Sequence, residues 1–307
     1  MSEKKRVLII FGGKSGEHEV SVRSARSIEE HIDRERFEPY VLGITQDGIW
    51  HLGENVQSIT QGLQVLPPTE HISLPGESGN KELSVQKTNG LQRFHFDIVF
   101  PIIHGTNGED GKLQGLLEMV DLPYVGAGVL GSAVTMDKVI QKQLCANVGI
   151  PQTKFEWFWK HEWDQDQQSI LDRIQHQLQY PMFVKPANLG SSVGITKANN
   201  QAELLESIST ALQYDLKIIV EEGVAGILEV EVSVLGNHDP VASVCGSIKP
   251  KAEFYDYDTK YVTDDIEAKI PAEIPDEDAK KIQETAVQTY TVLNCSGMAR
   301  VDFFYQP

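Results

Sequence analysis

A strand-like run ends on a lysine in Tyr180-Pro-Met-Phe-Val-Lys-Pro-Ala-Asn-Leu-Gly-Ser-Ser-Val-Gly-Ile-Thr196, and a small-residue loop divides it from a second apolar run. A rigid strand can deliver one ammonium group, Lys185, to a polyphosphate. A Gly-Ser-Ser loop can bring backbone N–H groups and hydroxyls close to anionic oxygens. No Gly-Lys-Ser/Thr opens a helix here, so the segment is not a Walker loop. A plain β-hairpin with a serine-rich turn would read the same way. Other residues could complete such a site. Lys138 opens a helix, and Lys260 lies in the aromatic run Phe254-Tyr-Asp-Tyr-Asp-Thr-Lys-Tyr261. Glu221 and Glu229 bracket a glycine-containing connection that could hold an adenine and ribose. Asp302, on a late strand, could bind Mg²⁺, which takes carboxylates together with phosphate oxygens. Each of these charges taken alone reads more readily as a solvated surface group.

Two further segments have the composition of ligand loops. Gly12-Gly-Lys-Ser-Gly-Glu-His-Glu-Val-Ser21 follows a buried strand and leads into a helix whose positive end suits an anion, with Glu19 placed to take an ammonium. The same residues also fit a glycine turn and a helix start favoured by acidic side chains. His104-Gly-Thr-Asn-Gly-Glu-Asp-Gly-Lys-Leu-Gln-Gly115 stands at the C-terminal end of a predicted strand, where open α/β sheets place ligands.

The elements that must carry these groups follow from periodicity. Val7, Leu8, Ile9, Ile10 and Phe11 predict a buried parallel strand. Val22, Ala25, Ile28 and Ile32 predict a helix capped by Ser21. Residues 40–44 and 97–103 predict strands, 46–51 a hairpin turn, 58–87 mostly loop, and 113–120 a helix. Strand–helix–strand order implies a parallel α/β domain over 1–135. Residues 137–148 predict a helix stopped by Gly149 and Pro151, and 157–178 a largely helical stretch. A strand–loop–strand at 180–196, a helix at 201–212 and a strand at 217–220 follow. Residues 229–235 alternate cleanly, Asp276 is placed to cap a helix running to Leu293, and 298–304 form a strand with Arg300 and Asp302 on one face. The second region therefore reads as α+β.

The chain has 307 residues, 40% hydrophobic and 23% charged, the proportions of a soluble globular protein of two or three domains. A net charge of −17 argues against a nucleic-acid binder while leaving room for a nucleotide site with a local cluster of lysines. No apolar run is long enough to span a membrane and no signal peptide opens the chain, so a cytoplasmic location is expected. Cys145, Cys245 and Cys295 form neither a disulfide framework nor a metal knuckle.

Six blocks in order resemble the D-alanine:D-alanine ligases of the ATP-grasp superfamily. They are Phe11 to Ser21, Phe100 to Gly111, Met136-Asp-Lys138, Phe183 to Gly194, Phe254 to Tyr261 and Gly297 to Asp302. The resemblance implies an N-terminal parallel-sheet α/β domain (1–135) followed by an ATP-grasp fold of two α+β subdomains (136–217 and 218–307, the latter incomplete). It implies that ATP phosphorylates the carboxylate of one D-alanine and that the amine of a second attacks the acyl phosphate, for peptidoglycan precursors and cell-wall biogenesis. Lys138, Lys185 and Lys260 would neutralise ATP phosphates under the Ser191-Ser192 loop. Glu221, Glu222, Val224 and Glu229 would hold adenine and ribose. Glu19, with Val22 and His104, would bind the first D-alanine, and Glu19, Ser191 and Tyr261 would form a closing cluster. Arg300 would stabilise the acyl phosphate and tetrahedral oxygens, and Asp302 would bind Mg²⁺ or Mn²⁺. A homodimer is implied, with neither a nucleic-acid nor a membrane partner. Tyr261 favours an amine nucleophile, since ester-forming relatives typically replace it; a D-alanine:D-lactate ligase is the alternative. The family continues with a Glu-x-Asn pair and a Pro-Gly-Phe-Thr-like segment beyond Pro307, so an inactive ATP-binding fragment is a further alternative. The chain also departs from the pattern by one extra residue before Glu229 and by Ser247 in place of the usual glutamate.

Overall fold

Val7, Leu8, Ile9, Ile10, Phe11 and Gly12 are all buried, because β1 (Lys5–Gly12) runs between parallel neighbours and is covered on both faces. The computed structural model describes residues 3–62, 71–73, 81–87, 90–190, 192–250 and 266–306. The chain divides into two units, Met1–Ser132 and Ala133–Pro307.

In the first unit β1 pairs in parallel with β2 (Phe37–Ile44) and β7 (Ile98–Pro101), and β3 (Trp50–Gly53) closes a hairpin on β2. Alternation splits β1 between two cores. Val7, Ile9 and Phe11 meet Val22 and Ala25 of α1 (His18–His31), while Leu8 and Ile10 meet Leu113 and Leu117 of α3 (Lys112–Met119). Each fully buried side chain of this size contributes about 1.5–3 kcal/mol. The stretch 58–87, expected to be mostly loop, carries regular structure among its described residues. It holds the end of α2 (Val56–Gly62), β4 (His71–Ser73) and β5 (Glu82–Lys87), and β6 (Gly90–His95) completes a small antiparallel sheet. Among the described residues, Ile72, Leu83, Val85, Phe94 and Phe96 anchor that sheet to the core, few enough that its pattern reads as polar.

The predicted cap at Ser21 is corrected. Glu17 occupies the cap position, and Ser21 lies within α1, where its Oγ accepts from the Gly12 amide at 2.7 Å and donates to the Ile102 carbonyl at 2.6 Å. The hydroxyl thus ties the ends of the two strands that carry the candidate loops.

In the second unit, α4 (Val129–Met136) straddles the boundary and α5 (Lys138–Asn147) starts at Asp137, whose carboxylate accepts from the amides of Val139 and Ile140. The stretch predicted as helical from 157 begins instead with a strand, β8 (Phe155–Trp159), before α6 (Lys160–Gln165) and α7 (Gln167–Gln177). Aromatic alternation, not helical periodicity, governs that strand. It joins β9 (Met182–Pro186), β10 (Thr196–Ala198) and β11 (Lys217–Glu222) in an antiparallel sheet ordered β10-β9-β11-β8. One face, with Phe158, Met182, Val184, Ile218 and Val220, packs on α7 and α8 (Gln201–Ala211). The other face turns Trp157, Lys185, Ile219 and Glu221 toward α5 by the two-residue period of a strand. Because β11 pairs with β8 and β9, it belongs wholly to this sheet, and the 217/218 division falls inside it.

A second antiparallel sheet has β12 (Leu228–Leu235) between β16 (Met298–Tyr305) on one edge and β13 (Val241–Ala242) and β14 (Gly246–Pro250) on the other, with β15 (Ile266–Lys269) beyond β14. Val230, Val232 and Val234 pack against Ala286 and Tyr290 of α9 (Asp276–Val292). Pro275, not Asp276, stands at the cap of α9. Asp276, Glu277 and Asp278 form its first turn, where the helix dipole favours negative charge. Leu293 and Cys295, after α9, pack on Cys145 and Ile150 at the end of α5.

Candidate active site

Three lysines and one glutamate converge on the α5 face of the first sheet of the second unit. Lys185 of β9 places Nζ 2.9 Å from Glu221 Oε2, and Lys142 of α5 places Nζ 3.6 Å from Oε1. Thr153 Oγ1 donates to Oε2 at 3.4 Å. Lys138, at the start of α5, donates to the carbonyls of Ala187 and Leu189 in the glycine-serine loop. Burial alone would raise the pKa of Glu221. The cations of Lys185, Lys142 and Lys138 overcome it and hold the carboxyl at about 2, so Glu221 is an ionised acceptor throughout the neutral range. Burial, reinforced by Lys185, brings Lys138 down to about 8, with Glu221 and Asp137 opposing. Such a cluster is a shallow bed of cations around one fixed carboxylate, suited to an anion and to an amine donor side by side.

The loop above it is anchored at both ends. Asp215 accepts from the Asn188 amide and from its side-chain Nδ2, both at 2.9 Å. Gly194 has φ +71°, and a Cβ there would lie 2.8 Å from the Tyr214 ring and 2.9 Å from Pro186, so only glycine fits. Ser192 also takes positive φ, at +60°. Beneath α5, the buried Lys217 pairs with Asp137 at 2.8 Å and lies 5.4 and 5.2 Å from the ring centroids of Trp157 and Trp159.

Glu222 alternates away from Glu221. Its Oε2 accepts from the Gln179 amide at 2.8 Å, and Lys154 lies 3.7 Å from Oε1, so its side chain is engaged away from the cluster. Val224 is exposed in the connection to β12. On the second sheet, Glu229, Glu231 and Ser233 stand opposite Phe304, Asp302 and Arg300 in register, on the face away from α9. Arg300 grips Asp302 with a bidentate pair of 2.8 and 2.9 Å and lies 3.3 Å from Glu231. Among the described residues no group of three or more His, Cys, Asp or Glu side chains could hold a metal alone. Asp302 remains a single hard oxygen donor, the kind of ligand Mg²⁺ takes when phosphate oxygens and water complete its shell. The expected Ser191, Lys260 and Tyr261 lie outside the described residues.

In the first unit, the loops after β1 and β7 meet. Ser15 Oγ donates to the His104 carbonyl at 2.7 Å, and His104 Nε2 lies 3.0 Å from Ser24 Oγ. The acidic groups of the second loop serve the loop itself. Glu109 accepts from the Gly105 amide at 2.7 Å, and Asp110 from the amides of Asn107 and Lys112. The carboxylate turned inward is that of Glu17, not Glu19. Glu17 is 7% exposed and Glu19 is exposed on α1. A Cβ at Gly105 (φ +71°) would lie only 2.2 Å from Glu17 Oε2, so the glycine makes room for this carboxylate. Val22, expected at the substrate, is 5% exposed in the core beneath α1. Sequence reasoning passed over Glu17 because its neighbour two residues on looks equivalent in one dimension. It passed over Lys142 too, although i, i+4 spacing from Lys138 puts both on one helix face.

Two family models cover most of the chain. The one described as D-ala D-ala ligase N-terminus matches residues 6–127, and the one described as D-ala D-ala ligase C-terminus matches residues 144–307. The chain is 43% identical to a D-alanine–D-alanine ligase of Acetivibrio thermocellus, over 99% of this chain and 84% of the relative. It is 45% identical to one from Thermoanaerobacter sp., over 98% and 83%. Among solved structures it is similar to the VanG D-Ala:D-Ser ligase of Enterococcus faecalis, with TM-score 0.87, 35% identity and coverage of 99% of this chain and 87% of that one. It is also similar to the D-alanine-D-alanine ligase of Coxiella burnetii, with TM-score 0.81, 32% identity and coverage of 100% and 82%. The expected fold, a parallel-sheet α/β unit followed by an ATP-grasp fold of α+β sheets, is the fold of these relatives. With both halves matched and the expected resemblance borne out, the chain belongs to the D-alanine–D-alanine ligase family.

Proposed function

We propose that this protein joins two D-alanines at the expense of ATP for peptidoglycan precursor synthesis. An oxygen of the first D-alanine carboxylate attacks the γ-phosphorus and ADP leaves. The amine of the second D-alanine then attacks the acyl carbon, phosphate leaves and the amine gives up a proton. The observation that carries the reading is the Lys138–Lys185–Glu221 cluster beside the glycine-serine loop, in a chain 43% identical to D-alanine–D-alanine ligases.

A carboxylate is a poor electrophile, and both the transferring phosphoryl group and the tetrahedral carbon that follows carry negative charge. Lys138 and Lys185, with Lys260, neutralise the phosphates, and the loop of Ser191 and Ser192 covers them. Glu221 accepts from the adenine amine, and Glu229 takes the ribose, with Glu222 and Val224 contributing backbone. Arg300 stabilises the acyl phosphate and tetrahedral oxygens. Asp302 would hold Mg²⁺ or Mn²⁺ through the nucleotide, and the ion would neutralise phosphate charge. In the first unit, Glu17 takes over from Glu19 the role of facing the ammonium of the first D-alanine, because its carboxylate is the buried one; His104 lies on the same loops. Tyr261 and Ser191 close over the reactants and exclude water, which would otherwise hydrolyse the acyl phosphate. A homodimer and a cytoplasmic setting accompany this reading. Among the described residues no helix is long and apolar enough to cross a membrane.

The test is phosphate release with ATP, Mg²⁺ and D-alanine, with the product identified by mass. D-alanine-dependent release of D-alanyl-D-alanine is expected. Release that appears only when D-serine or D-lactate is added would move the chain to a mixed-product ligase, and no amino-acid-dependent release would reject the reading.

A further inference from the structure

We propose that Lys142 is a positioning residue for nucleotide recognition, holding Glu221 so that its carboxylate presents a fixed acceptor to the amine of adenine. The inference rests on the reading of Glu221 as the adenine contact. Lys142 lies one turn after Lys138 on α5, and its side chain is only 15% exposed. Its ammonium donates to Thr153 Oγ1 at 2.9 Å, lies 3.6 Å from Glu221 Oε1, and stands over the Phe155 ring with the centroid at 5.3 Å. These partners turn the charge toward Glu221, through which Lys142 acts on the nucleotide.

The consequence for Glu221 is geometric. Lys185 and Thr153 hold Oε2 from β9 and from the segment before β8, and Lys142 holds Oε1 from α5. Thr153 relays the same tether, accepting from Lys142 and donating to Glu221. A carboxylate tethered at one oxygen turns about its last bond; tethered at both, its plane is set. The remaining lone pairs then point in fixed directions, toward a donor such as the exocyclic amine of adenine and against the carbonyl that guanine presents at that position. The helix is itself pinned there, because Gln152 Nε2 donates to the Lys142 carbonyl at 2.7 Å.

Calorimetric titration with non-hydrolysable ATP and GTP analogues, from about pH 2 to about pH 8, tests this on the full chain. Lys142→Met is expected to weaken the ATP analogue about tenfold, the scale of one charge-assisted contact, and the GTP analogue much less. Its loss of affinity in acid should begin at higher pH than in the wild type, since Glu221 has lost one of its cations while Lys138, Lys185 and Cys145 still face the pair. Lys142→Arg should restore both. If Lys142→Met does not fold, Lys142→Gln, which keeps a donor for Thr153 without the charge, takes its place. Affinity within about twofold of wild type, equal weakening of both analogues, or an unmoved acid limb overturns the proposal. A wild-type chain that binds neither analogue overturns the nucleotide reading of Glu221 itself, whereas normal wild-type binding with an unaltered Lys142→Met defeats the positioning role alone.

Discussion

Replacing Glu221 by glutamine removes one negative charge from among three cations, and the cost can be worked from the structure. The carboxyl is held at about 2 against an ordinary 4.5, and its side chain is only 8% exposed, so solvent screening removes little of the effect. A difference of ~2.5 units at ~1.36 kcal/mol each is on the order of 3 kcal/mol of folding stability. The sign follows from linkage. A depressed folded value contributes stability that is fully present above 4.5 and is lost as pH falls through about 2. Glu221→Gln should therefore unfold on the order of 3 kcal/mol more easily than the wild type at neutral pH, and the gap should narrow as the solution is acidified below about 4.5. Urea unfolding followed by far-ultraviolet circular dichroism, at about pH 7 and about pH 3, measures both quantities. A neutral-pH gap under about 1 kcal/mol, or the same gap at both pH values, would show that the three lysines do not act on this carboxylate as the distances imply.

Lys138 gives a pH dependence of the same sign in the alkaline range. Its ammonium is held at about 8 against 10.5, so between those values the unfolded chain carries more protons and wild-type stability should rise with pH relative to Lys138→Met. Calorimetric melting across that range checks it, and a constant difference would contradict the burial of the charge. Gly105→Ala would bring a Cβ within 2.2 Å of Glu17 Oε2 at a φ of +71°, so it should raise the KM for D-alanine while leaving ATP affinity unchanged. Unaltered D-alanine kinetics would remove Glu17 from the substrate.

The elements that carry the site were largely legible because they follow simple periods. Continuous burial marks β1, alternation marks β12 and β16, and Asp137 before a helical run marks α5. Arg300 and Asp302 were expected on one face two residues apart, and they pair there. What escaped was set by tertiary context. β8 carries Phe155, Trp157 and Trp159 on one face, but the amphipathic residues that follow extend a helical pattern back over it. The small sheet of β4, β5 and β6 has too little buried surface to show a strand pattern. Glu17 and Glu19 differ only in direction along the first turn of a helix, and Lys142 acquires meaning only when β11 brings Glu221 to it.

The Lys217 ammonium between Trp157 and Trp159 has a practical consequence. Indole emission responds to a nearby full charge, and this charge is fixed by Asp137, the residue that starts the helix bearing Lys138 and Lys142. A ligand that shifts this cation-rich helix is therefore expected to change the emission of Trp157 and Trp159, so that occupancy would be read without attaching a dye.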